Sequence, residues 1–81
     1  MCLGIPGRIE RIEDPVRKLG IVNVAGVQRR INLACIVDAA HPVESCVGEW
    51  VLVHVGFAMA RIDEHEAEKT LALLKELGEA I

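Results

Sequence analysis

Short β-branched segments separated by turn residues fill the first three quarters of this sequence. These segments are 5–13, 20–24, 27–37 and the almost wholly apolar 49–55. Isoleucine- and valine-rich runs of this length favour strands. Asp14-Pro15 marks a turn, and Ala25-Gly26 predicts a tight hairpin because Gly26 can take a positive φ. The segment 38–48 is expected to be a loop, and Gly56 to end the last strand.

The last quarter of the chain carries a single helical pattern. Asp63 can cap the start of a helix, and Glu66 completes a capping box three residues on. Apolar residues at helical spacing form one stripe, which consists of Ala67, Leu71, Leu73, Leu74 and Leu77. We therefore predict a mainly β fold over 1–81, a small OB-like barrel in 1–60 followed by a helix in 63–78.

Size and composition exclude several classes of function. A chain of 81 residues forms one modest core and leaves little room for an enclosed active site. Trp50 and Phe57 are the only aromatic residues and the net charge is −3, so the features that bind nucleic acid are missing. No apolar run approaches the ~20 residues of a membrane span. We expect no nucleic-acid partner and no membrane insertion.

The cysteines predict a reducing environment. There are three, Cys2, Cys35 and Cys46, and none forms a CxxC pair. An odd number argues against a disulfide scaffold, and the spacings do not fit zinc sites. The opening residues are too few and too uncharged for a signal peptide, so we expect a cytoplasmic protein. Cys35 is expected in the core, and Cys46 in an exposed loop.

Cys2 is the first candidate for chemistry. If the initiator methionine is removed, its thiol lies beside a free α-amino group, which is a cation near neutral pH. A nearby cation raises the thiolate fraction, and thiolates are soft ligands that suit iron and copper. The alternative, and the more common case for a lone cysteine, is an incidental small hydrophobic side chain.

His54 is the second candidate and ends the apolar segment. A neutral imidazole can bind a metal through one nitrogen while the other donates a hydrogen bond. The alternative, again the more common one, is a structural histidine at a barrel rim whose ring is satisfied by backbone. The sequence offers no nucleophile–base pair, phosphate loop or carboxylate pair, so an independent enzyme is the least favoured function.

Two stretches resemble the HypC/HybG/HupF family. The first is the opening, Met1-Cys2-Leu3-Gly4-Ile5-Pro6-Gly7. The second is Gly48-Glu49-Trp50-Val51-Leu52-Val53-His54-Val55-Gly56-Phe57-Ala58-Met59. The tail from Ile62 to Leu71 is similar too, so the resemblance spans nearly the whole chain. The loop 37–47 is the part least like the family, and its Cys46 has no counterpart in the motifs.

The resemblance implies an OB-like barrel with a C-terminal helix and a chaperone, not an enzyme, that acts in nickel–iron hydrogenase maturation. Members form a complex with the iron–sulfur protein HypD, on which an iron with cyanide and carbon monoxide ligands, the Fe(CN)2CO group, is assembled. HypE is a further partner through that complex. Members then bind the precursor of the hydrogenase large subunit and help to deliver the iron group.

The resemblance also implies site residues. Cys2 corresponds to the family's essential N-terminal cysteine and His54 to its motif histidine, and both are implicated at the iron. The expected partner-binding residues are Cys2, Leu3, Gly4, Ile5 and Pro6, which we predict to form an extended arm that Pro6 stiffens. One thiolate and one imidazole cannot hold iron tightly, so the other ligands are expected from the partner and from the cyanide and carbon monoxide.

A self-assembling barrel without cargo is the remaining alternative. Leu73 and Leu77 widen the helix stripe and could support a dimer. A dimer of this kind predicts a mass that depends on concentration and not on Cys2.

Overall fold

The computed structural model of the chain describes residues 4–76, and over these residues it forms a closed barrel of five strands followed by one helix. The elements are β1 (Ile5–Asp14), β2 (Leu19–Val24), β3 (Val27–Asn32), β4 (Trp50–His54), β5 (Phe57–Ile62) and α1 (Glu64–Glu76). Two short 3-10 helices, Ala34–Ile36 and Val43–Cys46, lie between β3 and β4. The predicted mainly β barrel with a C-terminal helix is confirmed.

The barrel closes through strands that are distant in sequence. The strand order is β1-β2-β3-β5-β4, and β4 pairs back onto β1 from Ile5↔Val53 to Arg8↔Trp50. The pairing of β3 with β5 is parallel and consists of one residue pair, Asn32↔Phe57. There the Asn32 N–H donates to the Gly56 carbonyl oxygen at 2.9 Å. The seam between β3 and β5 is therefore the shortest in the barrel.

Two hairpins have two-residue turns in which both residues take positive φ. Ala25 and Gly26 have φ of 53° and 88°, and Val55 and Gly56 have φ of 51° and 82°. Such turns match the right-handed twist of the strands that they join. The Ala25-Gly26 hairpin is confirmed, whereas Gly56, predicted only to end a strand, also turns the chain into β5.

Inward-facing aliphatic side chains fill the barrel. The fully buried ones include Ile9, Val22, Leu33, Val51 and Ala58. Gly7 and Gly20 also face inward, because a Cβ added at Gly7 would lie 2.6 Å from Val22 Cγ1, and one at Gly20 would lie 2.8 Å from Leu33 Cδ1. Because these two glycines have no Cβ, the backbones of β1 and β2 can pack directly against the side chains of Val22 and Leu33.

The predicted extended arm is wrong from Ile5 onward. Ile5 and Pro6 begin β1 and pair with Val53 and Leu52 of β4, and Pro6 is fully buried. A proline is tolerated there because the ladder with β2 begins only at Arg8, so one edge of the strand needs no N–H donor at Pro6. Pro6 is thus a packing residue of the barrel.

The expected positions of two cysteines are reversed. Cys35 is exposed and Cys46 is fully buried. The sequence pattern carried the strand through Cys35, but β3 ends at Asn32 and the following 3-10 helix places Ile36 in the core instead. The second 3-10 helix turns Cys46 inward from what was expected to be an open loop.

Helix α1 begins as the sequence predicts. The Glu66 N–H donates to Asp63 Oδ1 at 2.7 Å, which caps the first turn. Ala67 and Leu74 are buried, whereas Leu73 is 55% exposed. Leu77 and Gly78, the predicted end of the helix, lie outside the described residues. No helix within residues 4–76 is long and apolar enough to cross a membrane.

Candidate functional site

His54 lies at the end of β4, where β1 begins and β5 returns. Its partner across the hairpin is Phe57. On the other side of β4, the ladder with β1 runs from Arg8↔Trp50 to Ile5↔Val53, so the first residue of β1 pairs with the residue that precedes His54. The beginning of the described chain and the motif histidine therefore meet at one edge of the barrel.

Gly4 brings the N-terminal chain close to β4. A Cβ added there would lie 3.0 Å from Leu52 Cβ, which is tighter than ordinary van der Waals contact. Glycine therefore suits the close approach of the backbone at this position. Of the predicted arm, the structure places Gly4, Ile5 and Pro6 along β4, while Cys2 and Leu3 lie outside the described residues.

The ring of His54 is half-buried and has no hydrogen bond to any other residue within 4–76. Residues 4–76 therefore do not provide the alternative role, in which backbone groups form hydrogen bonds with the ring of a structural histidine. Neither ring nitrogen is therefore occupied by another residue of this part of the chain, and an imidazole nitrogen can bind a metal. Within residues 4–76, no cluster of three or more His, Cys, Asp or Glu side chains surrounds it.

The surface beside His54 is apolar. Val55, Phe57 and Met59 follow it along the β4–β5 hairpin, and all three are substantially exposed, Val55 at 79%. Single exposed apolar residues are ordinary, but several together beside a free imidazole are typical of a contact surface. We call these three residues the hairpin patch. Sequence reasoning assigned them to a motif but missed their exposure.

A second polar cluster joins β5 to the 3-10 helix before β4. Arg61 Nη2 donates to the buried Cys46 sulfur at 3.3 Å, and Arg61 Nε lies 3.2 Å from Glu49 Oε1. These contacts tie Val43–Cys46 to the barrel wall. Arg61 was missed from the sequence because nothing local marks an arginine as inward-facing. In this cluster the Cys46 thiol is buried, and its sulfur is a weak acceptor for the Arg61 guanidinium.

The loop with Asp38 is held by its own hydrogen bonds. The Asp38 carboxylate accepts the backbone N–H of His41 at 2.8 Å and that of Ala40 at 2.9 Å. The bond from the His41 backbone is the main cause that holds the pKa of Asp38 below its ordinary value. The exposed Asp38 and His41 side chains also contact each other. Both residues therefore have a structural role in the loop.

The grooves found in the described residues lie away from His54. The largest of them, about 380 Å³, is an open groove lined by Arg8, Asn23, Trp50 and Leu71 among others, between the β2–β3 hairpin and α1. Two smaller grooves also adjoin Arg8. His54 lines none of these three grooves, and the side chains of the hairpin patch beside it are exposed.

Comparison with known proteins identifies one family over nearly the whole chain. The sequence profile of the HupF/HypC family matches residues 1–74. The hydrogenase maturation factor HypC of Rhodobacter capsulatus is 51% identical over 80 residues, which cover 99% of this chain and 81% of the relative. The hydrogenase maturation factor HybG of Escherichia coli K12 is 43% identical over 77 residues, which cover 95% and 92%.

A further relative has a similar level of sequence identity. The maturation factor HypC of Escherichia coli K12 is 43% identical over 77 residues, which cover 95% of this chain and 82% of the relative. The family profile extends over β1 and through most of α1, so it includes both motifs and the two strands, β1 and β4, that pair next to His54. The chain therefore belongs to the HupF/HypC family, which includes hydrogenase maturation factors among its relatives.

Proposed function

We propose that this protein is a non-catalytic chaperone of nickel–iron hydrogenase maturation that acts in the cytoplasm. It binds HypD, and HypE through that complex, and it helps to assemble the Fe(CN)2CO group. It then binds the precursor of the hydrogenase large subunit and helps to deliver the group. The iron is its cargo, held transiently by Cys2 and His54 together with ligands from the partner.

The pairing of Ile5 with Val53, the residue that precedes His54, is the observation that best supports this proposal. Cys2 is three residues from Ile5, and three residues of extended chain reach at most about 11 Å. The intervening chain is therefore long enough for the Cys2 thiol to reach the edge that carries the imidazole. A soft thiolate and an imidazole within reach of one iron suit the cargo.

The same arrangement suits release of the cargo. Two protein ligands leave most positions of an iron to other groups, so the partner and the cyanide and carbon monoxide complete its coordination. The hairpin patch that follows His54 is exposed. A partner can therefore approach His54 and the hairpin patch without any opening of the barrel.

The test is co-purification of the tagged protein from anaerobic cells, as wild type, Cys2→Ala and His54→Ala. HypD and the large-subunit precursor are identified by mass spectrometry, and the cyanide and carbon monoxide stretches by infrared spectroscopy. We expect wild type to carry partner and both infrared bands. Cys2→Ala should lose the partner or the bands, and His54→Ala should weaken the bands.

Two matched variants control for the loss of a thiol or an imidazole elsewhere. Cys35→Ala removes an exposed thiol, and His65→Ala removes an exposed imidazole on α1. Both should behave as wild type, with unchanged circular dichroism in all four variants. Wild-type levels of partner and iron bands in Cys2→Ala would contradict the proposal.

A further inference from the structure

Among residues 4–76, one edge of β3 lacks a strand partner along most of its length. β2 pairs with β3 from Val24↔Val27 to Leu19↔Asn32, but β5 pairs with it only at Asn32. Residues Val27 to Arg30 are all exposed. The β2–β3 hairpin therefore extends past the closed part of the barrel and presents a free edge.

The register identifies the backbone groups on that edge. In antiparallel strands, successive residues direct their N–H and C=O alternately to one neighbour and to the other. The Asn32 N–H points toward β5, where it bonds to Gly56. Arg30 and Gln28 therefore direct their N–H and C=O to the free edge, whereas Arg29 directs its own to β2.

The side chains along the edge differ in charge between the two faces. On the outer face, Arg30 is paired with Glu13 at 2.5 Å, and Gln28 donates to Glu10 at 2.6 Å. On the inner face, Val27 is 46% exposed, and Arg29 has no ion pair among residues 4–76. The unneutralised charge of the edge is thus the Arg29 guanidinium, with an apolar side chain two residues away.

A second copy of this chain fits the edge poorly. Pairing of β3 with another β3 would bring the adjacent Arg29 and Arg30 of each copy near those of the other, and like charges across a ladder are destabilising. A strand with an acidic residue opposite Arg29 and an apolar residue opposite Val27 matches both side chains. Strand addition to an exposed edge is a known mode of peptide recognition.

We propose that the free edge of β3 binds an extended segment of the partner protein by strand addition. The segment carries an acidic side chain opposite Arg29 and an apolar one opposite Val27. Its backbone bonds to the N–H and C=O groups of Gln28 and Arg30. The partner is a maturation protein or precursor, so this inference rests on the proposed function; the strand contact is additional to the iron site at His54.

Amide hydrogen exchange tests the proposal by comparing adjacent residues of β3, which direct their N–H groups to opposite sides of the strand. The isotope-labelled protein is measured alone, in complex with HypD, and in complex with the large-subunit precursor. In the free protein the Gln28 and Arg30 amides should exchange quickly, and the Arg29 amide slowly because it bonds to β2. In one of the complexes, Gln28 and Arg30 should slow by about tenfold or more beyond any change at Arg29.

Charge reversal provides the second measurement. Arg29→Glu leaves the backbone bonds to β2 in place and should weaken binding of that partner by about tenfold, equivalent to 1.4 kcal/mol. Arg17→Glu makes the same change in the exposed β1–β2 turn and should leave binding nearly unchanged. If both complexes form while Gln28 and Arg30 still exchange as in the free protein, the strand contact is wrong and the chaperone function stands. If neither complex forms, the proposed function itself fails.

Discussion

At the scale of single residues, Val55 combines two unfavourable properties. It has a φ of 51°, in the left-handed region that β-branched residues rarely adopt, and its side chain is 79% exposed. The two-residue turn that it shares with Gly56 normally carries Asn-Gly or Asp-Gly. Val55 therefore stabilises neither its turn nor the core, and its place in the hairpin patch beside His54 fits a role in binding.

Val55→Asn should stabilise the protein. The left-handed conformation costs an ordinary residue about 1–2 kcal/mol, and asparagine tolerates it better than other non-glycine residues. We expect the free energy of unfolding in urea to rise by about 1 kcal/mol. In the co-purification experiment, the same variant should recover less partner.

Val16→Asn is the matched control for Val55→Asn. Val16 is 89% exposed in the β1–β2 turn and does not have a positive φ. Its substitution should change stability by less than about 0.5 kcal/mol. An equal gain in both variants would show that removal of exposed apolar surface, and not relief of backbone strain, is the cause.

At the scale of elements, α1 has one face against the barrel and one in solvent. Ala67 and Leu74 are buried and Leu71 is half-buried, whereas Leu73 is 55% exposed. The Asp63 cap fixes where the helix begins and therefore which residues face the barrel. The stripe predicted from the sequence is wider than the face that packs.

The variants Leu74→Ala and Leu73→Ala compare the loss of a buried and of an exposed leucine at adjacent positions of α1. Leu74→Ala removes a buried side chain and should lower the free energy of unfolding by about 2 kcal/mol or more. Leu73→Ala is the same change in solvent and should stay within about 0.5 kcal/mol. Urea unfolding of both variants is the measurement. A large loss in Leu73→Ala would instead indicate that this residue is covered, as the self-assembling alternative requires.

At the scale of the whole molecule, barrel closure depends on small residues where the wall curves inward. Gly7 lies in the part of β1 that pairs with β4. A Cβ there would lie 2.6 Å from Val22 Cγ1 and 3.0 Å from Val24 Cγ2. Val22 is fully buried and β-branched, so its methyl cannot move away easily.

Gly7→Ala should therefore lower the free energy of unfolding by about 1–3 kcal/mol, the usual range for an overpacked core. The measurement is urea unfolding of Gly7→Ala, Val22→Ala and the double variant. Since Val22→Ala removes the closest clash, the double variant should lose less stability than the sum of the two single losses. Additive losses would contradict this cause.

Local patterns predicted the local features of this barrel. The Ala25-Gly26 hairpin and the Asp63 cap depend on residues adjacent in sequence, and both are confirmed. The mainly β fold followed from the spacing of turn residues. Pro6 was placed wrongly because its strand partner is Leu52 of β4, which is distant in sequence, and because the β1–β2 ladder does not reach Pro6.

The candidate site was predictable only in its residue types. His54 was identified from a motif, but its position beside the start of β1 follows from a ladder between residues about fifty apart in sequence. Burial of Cys46 and exposure of Cys35 depend on two 3-10 helices that have no periodic pattern to reveal them. Long-range pairing and these short helices, neither of which a local hydrophobic pattern records, account for what the sequence did not predict.

The β1–β4 ladder also has a consequence for synthesis on the ribosome. Residues Ile5 to Arg8 are held in place by Trp50 to Val53, which are synthesised later. Such distant pairing is slow to form because a long loop must close first. A nascent chain thus has no partner strand for Ile5 to Gly7 until β4 emerges. The edge where Ile5 meets Val53, next to His54, can form only after β4 has been synthesised, so a partner that recognises this edge cannot bind the nascent chain before that point.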